Sequence, residues 1–220
     1  MKALLIGSTG LIGKHCLDFL IHDENYTQVE VWVRNPNSFP NQKFTEKIMQ
    51  FEDIPGLPLI QADHLFCYLG TTMRKAKTQD AFRKVDVEYV VSLAKLAERS
   101  GIHTFLVISS VGANPVSGNF YLRTKGEMEE AVKQCSIPSI YILRPSMLLG
   151  KRPEQRFGES IGKIISKIFS PFLFSGLRKY RAIQAETVAR AMIACAESSQ
   201  PGIHVLESDE IERAGGRVNR

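Results

Sequence analysis

The stretch Lys2-Ala3-Leu4-Leu5-Ile6-Gly7-Ser8-Thr9-Gly10-Leu11-Ile12-Gly13 carries an apolar run straight into three glycines spaced three residues apart. A run this short, stopped by glycine, is the pattern of a parallel strand buried on both faces. Beyond it Leu11, Ile12, Cys16, Leu17, Leu20 and Ile21 return at helical spacing. Strand, glycine turn and helix in that order form the phosphate-cradling unit of dinucleotide-binding proteins. Gly7 permits a tight turn, Gly10 lets the backbone approach a pyrophosphate, and Gly13 lets the helix pack closely on the strand. The phosphates would rest on backbone N–H groups at the positive end of the helix. Gly7, Ser8, Thr9, Gly10, Leu11, Ile12 and Gly13 are therefore the first candidate cofactor-binding residues.

The alternation continues downstream. Residues 28–33 read as a second strand, with Val29, Val31 and Val33 alternating; 43–51, 64–69, 103–109 and 140–143 follow as strands three to six. Helical patterns fill 78–100, closed by Gly101 at a position suited to C′, and 121–135. Strands alternating with crossover helices predict an α/β fold: a Rossmann-like, doubly wound parallel sheet with helices on both faces. After Gly150 the character changes to an amphipathic helix at 160–169, an aromatic loop at 171–176, a helix at 185–198 and a late strand at 203–206. The expected organisation is a nucleotide-binding core over 1–150. Residues 151–220 would add a small cap, with a returning helix and strand packed on the same domain.

Composition sets the outer limits. The chain has 220 residues, 44% hydrophobic and 23% charged, which excludes disorder and a disulfide-stapled mini-fold. Net charge is +5, but the basic residues are scattered; Arg74, Lys75 and Lys77 form the best cluster, and Arg178-Lys179-Tyr180-Arg181 alone interleaves an aromatic. A nucleic-acid partner is not expected. The four cysteines are far apart with no CxxC pair, the five histidines are dispersed, and no metal site is expected. Four apolar residues before Gly7 are too few for a signal-peptide core or a membrane span. On these grounds the chain is expected to be cytoplasmic and not membrane-bound.

Chemistry-bearing residues fall where strands end. Arg34 closes the second strand, where an acidic residue would accept from the ribose 2′-hydroxyl of NAD; an arginine there suits the extra 2′-phosphate of NADP. Leu69, Gly70 and Thr71 end the fourth strand and should flank the same cofactor. Tyr121 and Lys125 lie four apart on one helix face. An ammonium near the phenol would lower its pKa, allowing proton transfer to or from a carbonyl oxygen, and Lys125 would also hold the nicotinamide ribose. Ser110, after the fifth strand, would hydrogen-bond the reacting oxygen; Ser109 is expected to point into the strand's packing. Arg144 and the 151–156 loop are candidate contacts for an anionic substrate group, with solvated charge the alternative reading of the loop.

Taken together, the glycine loop, Arg34, Ser110 and Tyr121/Lys125 resemble the short-chain dehydrogenase/reductase superfamily. The Leu69-Gly70-Thr71-Thr72-Met73-Arg74-Lys75-Ala76 stretch is similar to that of its Tat-interacting-protein-like atypical group. So are Val85-Asp86 with Tyr89, Tyr121-Leu122-Arg123-Thr124-Lys125-Gly126-Glu127, and Leu143-Arg144-Pro145. The resemblance implies an NADP(H)-binding Rossmann fold with Gly7, Gly10, Gly13, Arg34, Gly70, Tyr121 and Lys125 at the cofactor and active site. Asp86 departs from the asparagine that extended members often carry. Two functions follow as expectations. One is an NADPH-dependent oxidoreductase acting on a small carbonyl compound of unidentified structure. The alternative is a non-catalytic NADP(H)-sensing module acting through a protein partner, with Phe172, Leu173 and Phe174 as part of its surface. The resemblance also admits a homodimer through the helices at 78–100 and 121–135.

Overall fold

In strand β1 (Lys2–Ile6) Ala3, Leu4, Leu5 and Ile6 are all buried, so the strand has no solvent face. A computed structural model describes residues 1–36, 42–150 and 181–216. Among the described residues β1 is an inner strand, third in order, of a seven-stranded, wholly parallel sheet. Its partners are β2 (Gln28–Val33) and β4 (His64–Cys67), with Leu4 opposite Glu30 on one side and Leu65 on the other. β3 (Phe44–Ile48) lies outside β2. Beyond β4 come β5 (Thr104–Ile108), β6 (Ser139–Arg144) and β9 (Gly202–Glu207). The order β3-β2-β1-β4-β5-β6-β9 reverses direction between β1 and β4. In an open parallel sheet that is where a ligand crevice forms outside the strand ends.

Strand alternation sorts the core into two layers. Ala3 and Leu5 face one layer, with Cys16, Leu17 and Leu20 of α1 (Gly13–His22) and Val188, Met192 and Ala196 of α6 (Ala185–Ser198). Leu4 and Ile6 face the other, with Leu93 and Leu96 of α4 (Tyr89–Arg99) and Met128 and Val132 of α5 (Phe120–Lys133). Both faces of the sheet are thereby covered, as a two-sided apolar strand requires.

Several boundaries differ from the sequence pattern. The first helix begins at Gly13 rather than Leu11. The 78–100 stretch is α3 (Gln79–Arg83), a π-helical turn (Lys84–Glu88) and then α4. Its end has the expected form: Gly101 has φ +67°, its N–H bonds Glu98 O and that of Ile102 bonds Ala97 O, a Schellman closure. A four-residue helix, α2 (Met73–Ala76), follows β4, and a 3₁₀ segment (Phe51–Gly56) follows β3. The two-residue strands β7 (Leu148–Leu149) and β8 (Ile183–Gln184) pair with each other. Helix α7 (Ser208–Gly216) packs on α6 so closely that a Cβ on Gly215 would lie 2.2 Å from Thr187 O. The helix expected at 160–169, the aromatic loop at 171–176 with Phe172, Leu173 and Phe174, and most of the 178–181 basic stretch lie outside the described residues.

All four cysteines are free and buried. Burial pushes the Cys16 and Cys67 thiols up to about 12, so neither is a ready thiolate. Among the described residues no helix is long and apolar enough to cross a membrane. Nor do three or more metal-ligating side chains come together among them.

Candidate nucleotide-binding active site

The glycine loop leaves β1 beside the end of β4, where Tyr68 N–H donates to Ile6 O at 2.8 Å. Gly7 has φ +88°, and a Cβ there would stand 2.8 Å from the Tyr68 carbonyl carbon and oxygen. Glycine is needed both for that left-handed backbone and for the close approach of two strand ends. A Cβ on Gly13 would lie 2.3 Å from Gly7 O, so this glycine lets α1 start against the loop's own carbonyl. Gly10 is exposed, and its N–H closes the turn onto Gly7 O at 3.0 Å. Ser8, Leu11 and Ile12 are buried and Thr9 is exposed. No side chain caps α1 and no acidic residue stands in its first turn. The loop thus presents backbone with positive helix-end character, suited to an anion.

A second wall comes from the residues after β4. Leu69 is buried, while Gly70 is exposed and Thr71 half-buried. The Thr71 N–H donates to Asp86 Oδ2 at 2.7 Å. Asp86 comes from the π turn and is itself 1% exposed. Its Oδ1 lies 2.7 Å from Lys125 Nζ, an ion-pair contact without the alignment of a hydrogen bond. A Cβ on Gly70 would sit 3.5 Å from Asp86 Oδ1 and 3.9 Å from Lys125 Nζ. The loop after β4 and the lysine on α5, distant in sequence, therefore meet at one place. Burial pushes the Lys125 ammonium toward neutrality, but the charge of Asp86, with Tyr121, outweighs it and holds the pKa above the ordinary lysine value.

Tyr121 is half-buried, one helical turn before Lys125, with the Phe82 ring edge-on at 6.0 Å. Asn119 caps α5 through Leu122 N at 3.1 Å. A Cβ on Gly126 would fall 2.2 Å from Pro115 N, so the helix is pressed directly onto the loop that follows Ser110. Asn114 N–H bonds Leu122 O at 3.0 Å, completing that fixture. Ser110 is half-buried and its hydroxyl makes only a 3.3 Å contact with Val111 O. Ser109 is buried, as expected, and donates to Glu129 Oε1 at 2.5 Å.

Arg34 is exposed at the end of β2, with its guanidinium carbon 6.0 Å from the Phe51 ring centroid. Phe51 meets Tyr89 edge-on at 5.8 Å. The Tyr89 hydroxyl donates to Glu52 Oε1 at 2.5 Å, and Lys84 lies 3.0 Å from the same carboxylate. These contacts, that from Tyr89 first, hold the Glu52 carboxyl down at about 2.

Arg144 is not available to a substrate anion. Its guanidinium forms a fork with Glu129, at 2.9 and 2.6 Å, and reaches Glu207 Oε1 at 3.1 Å. Two carboxylates already match its charge, which corrects the substrate-contact reading. The 151–156 loop lies outside the described residues. Sequence reasoning assigned no role to Asp86 or Glu129. Asp86 signalled itself only as a departure from the resembled motif, and Glu129 only as the next residue, four on, along the Tyr121–Lys125 face.

The strand order and the cradle at its switch point define a Rossmann-type nucleotide-binding protein. The chain matches the NAD(P)H-binding family model over residues 7–199 and belongs to that family. It is 32% identical to Protein HTATIP2 of Rattus norvegicus, across 97% of this chain and 89% of that one. It is 30% identical to Protein FMP52, mitochondrial, of Meyerozyma guilliermondii, across 97% and 94%. Among solved structures, human epimerase family protein SDR39U1 with NADPH superposes at TM-score 0.64 with 16% identity, covering 100% of this chain and 81% of that one. A putative NAD-dependent epimerase/dehydratase from Bacillus halodurans reaches 0.70 with 20% identity, covering 99% of both. The expected cytoplasmic location is overturned. FMP52 relatives from several fungi, matching nearly the whole chain, are named mitochondrial and point to that compartment. A mitochondrial address needs no apolar leader, so the shortness of the apolar run before Gly7 did not argue for the cytoplasm.

Proposed function

We propose that this protein is an NADP(H)-dependent oxidoreductase acting on a small carbonyl compound. The observation that carries the reading is the convergence of three elements outside β1 and β4. They are the backbone cradle from Gly7 to Gly13, the Gly70–Thr71 wall, and Lys125 with Tyr121 one turn away. The residues fit such a cofactor. Exposed Gly10 leaves the mouth of the cradle open, the α1 end has no acidic residue to repel phosphates, and Arg34 stands at the β2 end for a 2′-phosphate. When bound, the reduced nicotinamide supplies a hydride. Tyr121 donates a proton to the carbonyl oxygen, Ser110 offers its hydroxyl to the same oxygen, and Lys125 holds the ribose and keeps positive charge near the phenol.

The test has two parts. Calorimetric titration of the cofactor-free protein should favour NADPH over NADH by about 10- to 150-fold, the value of a charged hydrogen-bonding contact of about 1.5–3 kcal/mol. With a panel of small aldehydes, ketones and quinones, Tyr121→Phe should abolish NADPH oxidation while leaving NADPH affinity nearly intact. Equal turnover by the variant refutes the mechanism. A second reading, an NADP(H) sensor acting through a protein partner, is favoured by one observation: Asp86 already matches the Lys125 charge, which weakens its influence on the phenol. That reading requires NADPH-dependent capture of a partner without turnover on any member of the panel.

A further inference from the structure

We infer that Asp86 is a positioning residue that ties the loop after β4 to Lys125, so that the wall and the lysine act as one rigid part. The inference rests on the reading that this loop and Lys125 face a nicotinamide nucleotide. Its geometry is specific. One carboxylate oxygen accepts the Thr71 N–H at 2.7 Å, and the other lies 2.7 Å from Lys125 Nζ. Gly70 sits against the pair, so the backbone expected to flank the nucleotide touches the bridge directly.

The local fold is arranged around this side chain. Asp86 is the one buried residue of the π turn that interrupts the α3–α4 helical run. A π turn carries an extra residue, rotates the following helix and exposes backbone bonding irregularly, and such turns often stand at functional sites. Here it brings a carboxylate to the sheet edge while α4 keeps Val90, Leu93 and Leu96 in the core.

Only a carboxylate can serve both partners. Asparagine has one acceptor oxygen and one NH₂ donor. With its oxygen on the Thr71 amide, its NH₂ would face the Lys125 ammonium; flipped, it would lose the loop amide. In Asp86→Asn the 5%-exposed lysine would therefore lose its counter-charge, and burial would drive it toward the neutral form. The other titratable groups beside Lys125 are Tyr121 on its own helix and Cys67 at the end of β4, and the charge of Asp86 outweighs both in holding the ammonium.

The experiment uses the full chain with lysine carbon-13-labelled at Cε, first without nucleotide. The Lys125 signal is assigned by its loss in Lys125→Met. In the wild type it should remain that of a charged ammonium up to about pH 10, the ordinary lysine range. In Asp86→Asn it should titrate at least one pH unit lower, and the Thr71 amide should exchange at least tenfold faster. NADPH affinity of Asp86→Asn should then fall about tenfold at pH 7 and gain an alkaline limb. That limb should be absent from the wild type and from Asp86→Asn/Lys125→Met. If Asp86→Asn does not fold, Lys125→Met reports on the same bridge, and an unchanged Thr71 exchange rate there overturns the inference. So does a wild-type Lys125 that titrates below pH 10. A lost bridge with unchanged NADPH affinity and pH profile overturns the positioning role alone. The full spectroscopic signature in a protein that binds neither NADPH nor NADH overturns both that role and the reading beneath it.

Discussion

Replacing Gly13 with alanine sets two effects of opposite sign against each other. In an unobstructed helix, glycine to alanine stabilises by about 1 kcal/mol, because alanine leaves less backbone freedom to lose. At Gly13 the new Cβ would lie 2.3 Å from Gly7 O, 2.9 Å from Gly7 C and 3.0 Å from Ser8 Cα. All three atoms are backbone, so no rotamer change relieves the contact. Reaching an ordinary separation of about 3.4 Å moves α1 away from the loop by about 1 Å. Overpacking of this kind costs about 1–3 kcal/mol, and rigid surroundings place it near the top of that range. The expected net result is a loss of about 2 kcal/mol, or a fall in Tm of about 4–8 °C for a chain of this size. The displaced amides should also weaken NADPH binding more than tenfold. Gly216→Ala provides the control, since a Cβ there meets nothing within 4 Å and should leave Tm unchanged or slightly higher. Differential scanning fluorimetry and calorimetric titration read both quantities. A Gly13→Ala protein as stable as the wild type, with undiminished NADPH affinity, refutes the close-approach argument for this glycine.

Two more perturbations test the packed network. Burial holds His64 at about 4, against 6.5 for the free side chain, and the Tyr26 hydroxyl lies 2.8 Å from its Nδ1. As pH falls from 6.5 to 4 the unfolded chain gains a proton that the folded one refuses. Stability should therefore be intact above pH 6.5 and decline by about 2–3 kcal/mol across that window; urea unfolding should show the decline, and His64→Phe should flatten it. Glu129→Gln leaves the Arg144 fork without its nearer carboxylate and disrupts the Ser109 contact. It should lower stability by roughly 2–3 kcal/mol in chemical denaturation, and a loss below 0.5 kcal/mol would show that Glu207 alone suffices.

The sheet was legible because strands buried on both faces leave short, unbroken apolar runs. Residues 28–33 and 185–198 match the expected strand and helix to the residue, and each is bounded by polar or glycine-rich sequence. The π turn was invisible, since one extra residue shifts the apolar pattern of 78–100 by a single position, which a continuous helical reading absorbs. β7 and β8 are two residues each, too short for any period to register. Helix α7 was hidden by Gly215 and Gly216, which lower helix propensity; Gly215 is there because Thr187 O leaves no room for a Cβ. The pairing of Arg144 was not legible because its partners, Glu129 and Glu207, are 15 and 63 residues away. Sequence spacing identifies neighbours on one helix but not the charges that a sheet brings to its edge.

The same distinction supports assigning proton transfer in the proposed reaction to Tyr121 rather than to its neighbours. Tyr121, Lys125 and Glu129 stand at successive four-residue steps along α5. Lys125 is committed to Asp86, and Glu129 to Arg144 and Ser109. Changing the charge on either buried member would strand its partner at a cost of several kcal/mol, so neither can cycle a proton easily. Tyr121 is half-buried and held by the edge of Phe82 instead of an ion pair. Its side chain is therefore not tied to a charged partner whose pairing the proposed reaction would break. The same accounting selects between the serines: Ser109 anchors Glu129, whereas Ser110 makes only a long contact to Val111 O and can turn toward a substrate oxygen. In the proposed reaction, the fixed charges on α5 therefore assign the proton to Tyr121 and the substrate hydrogen bond to Ser110.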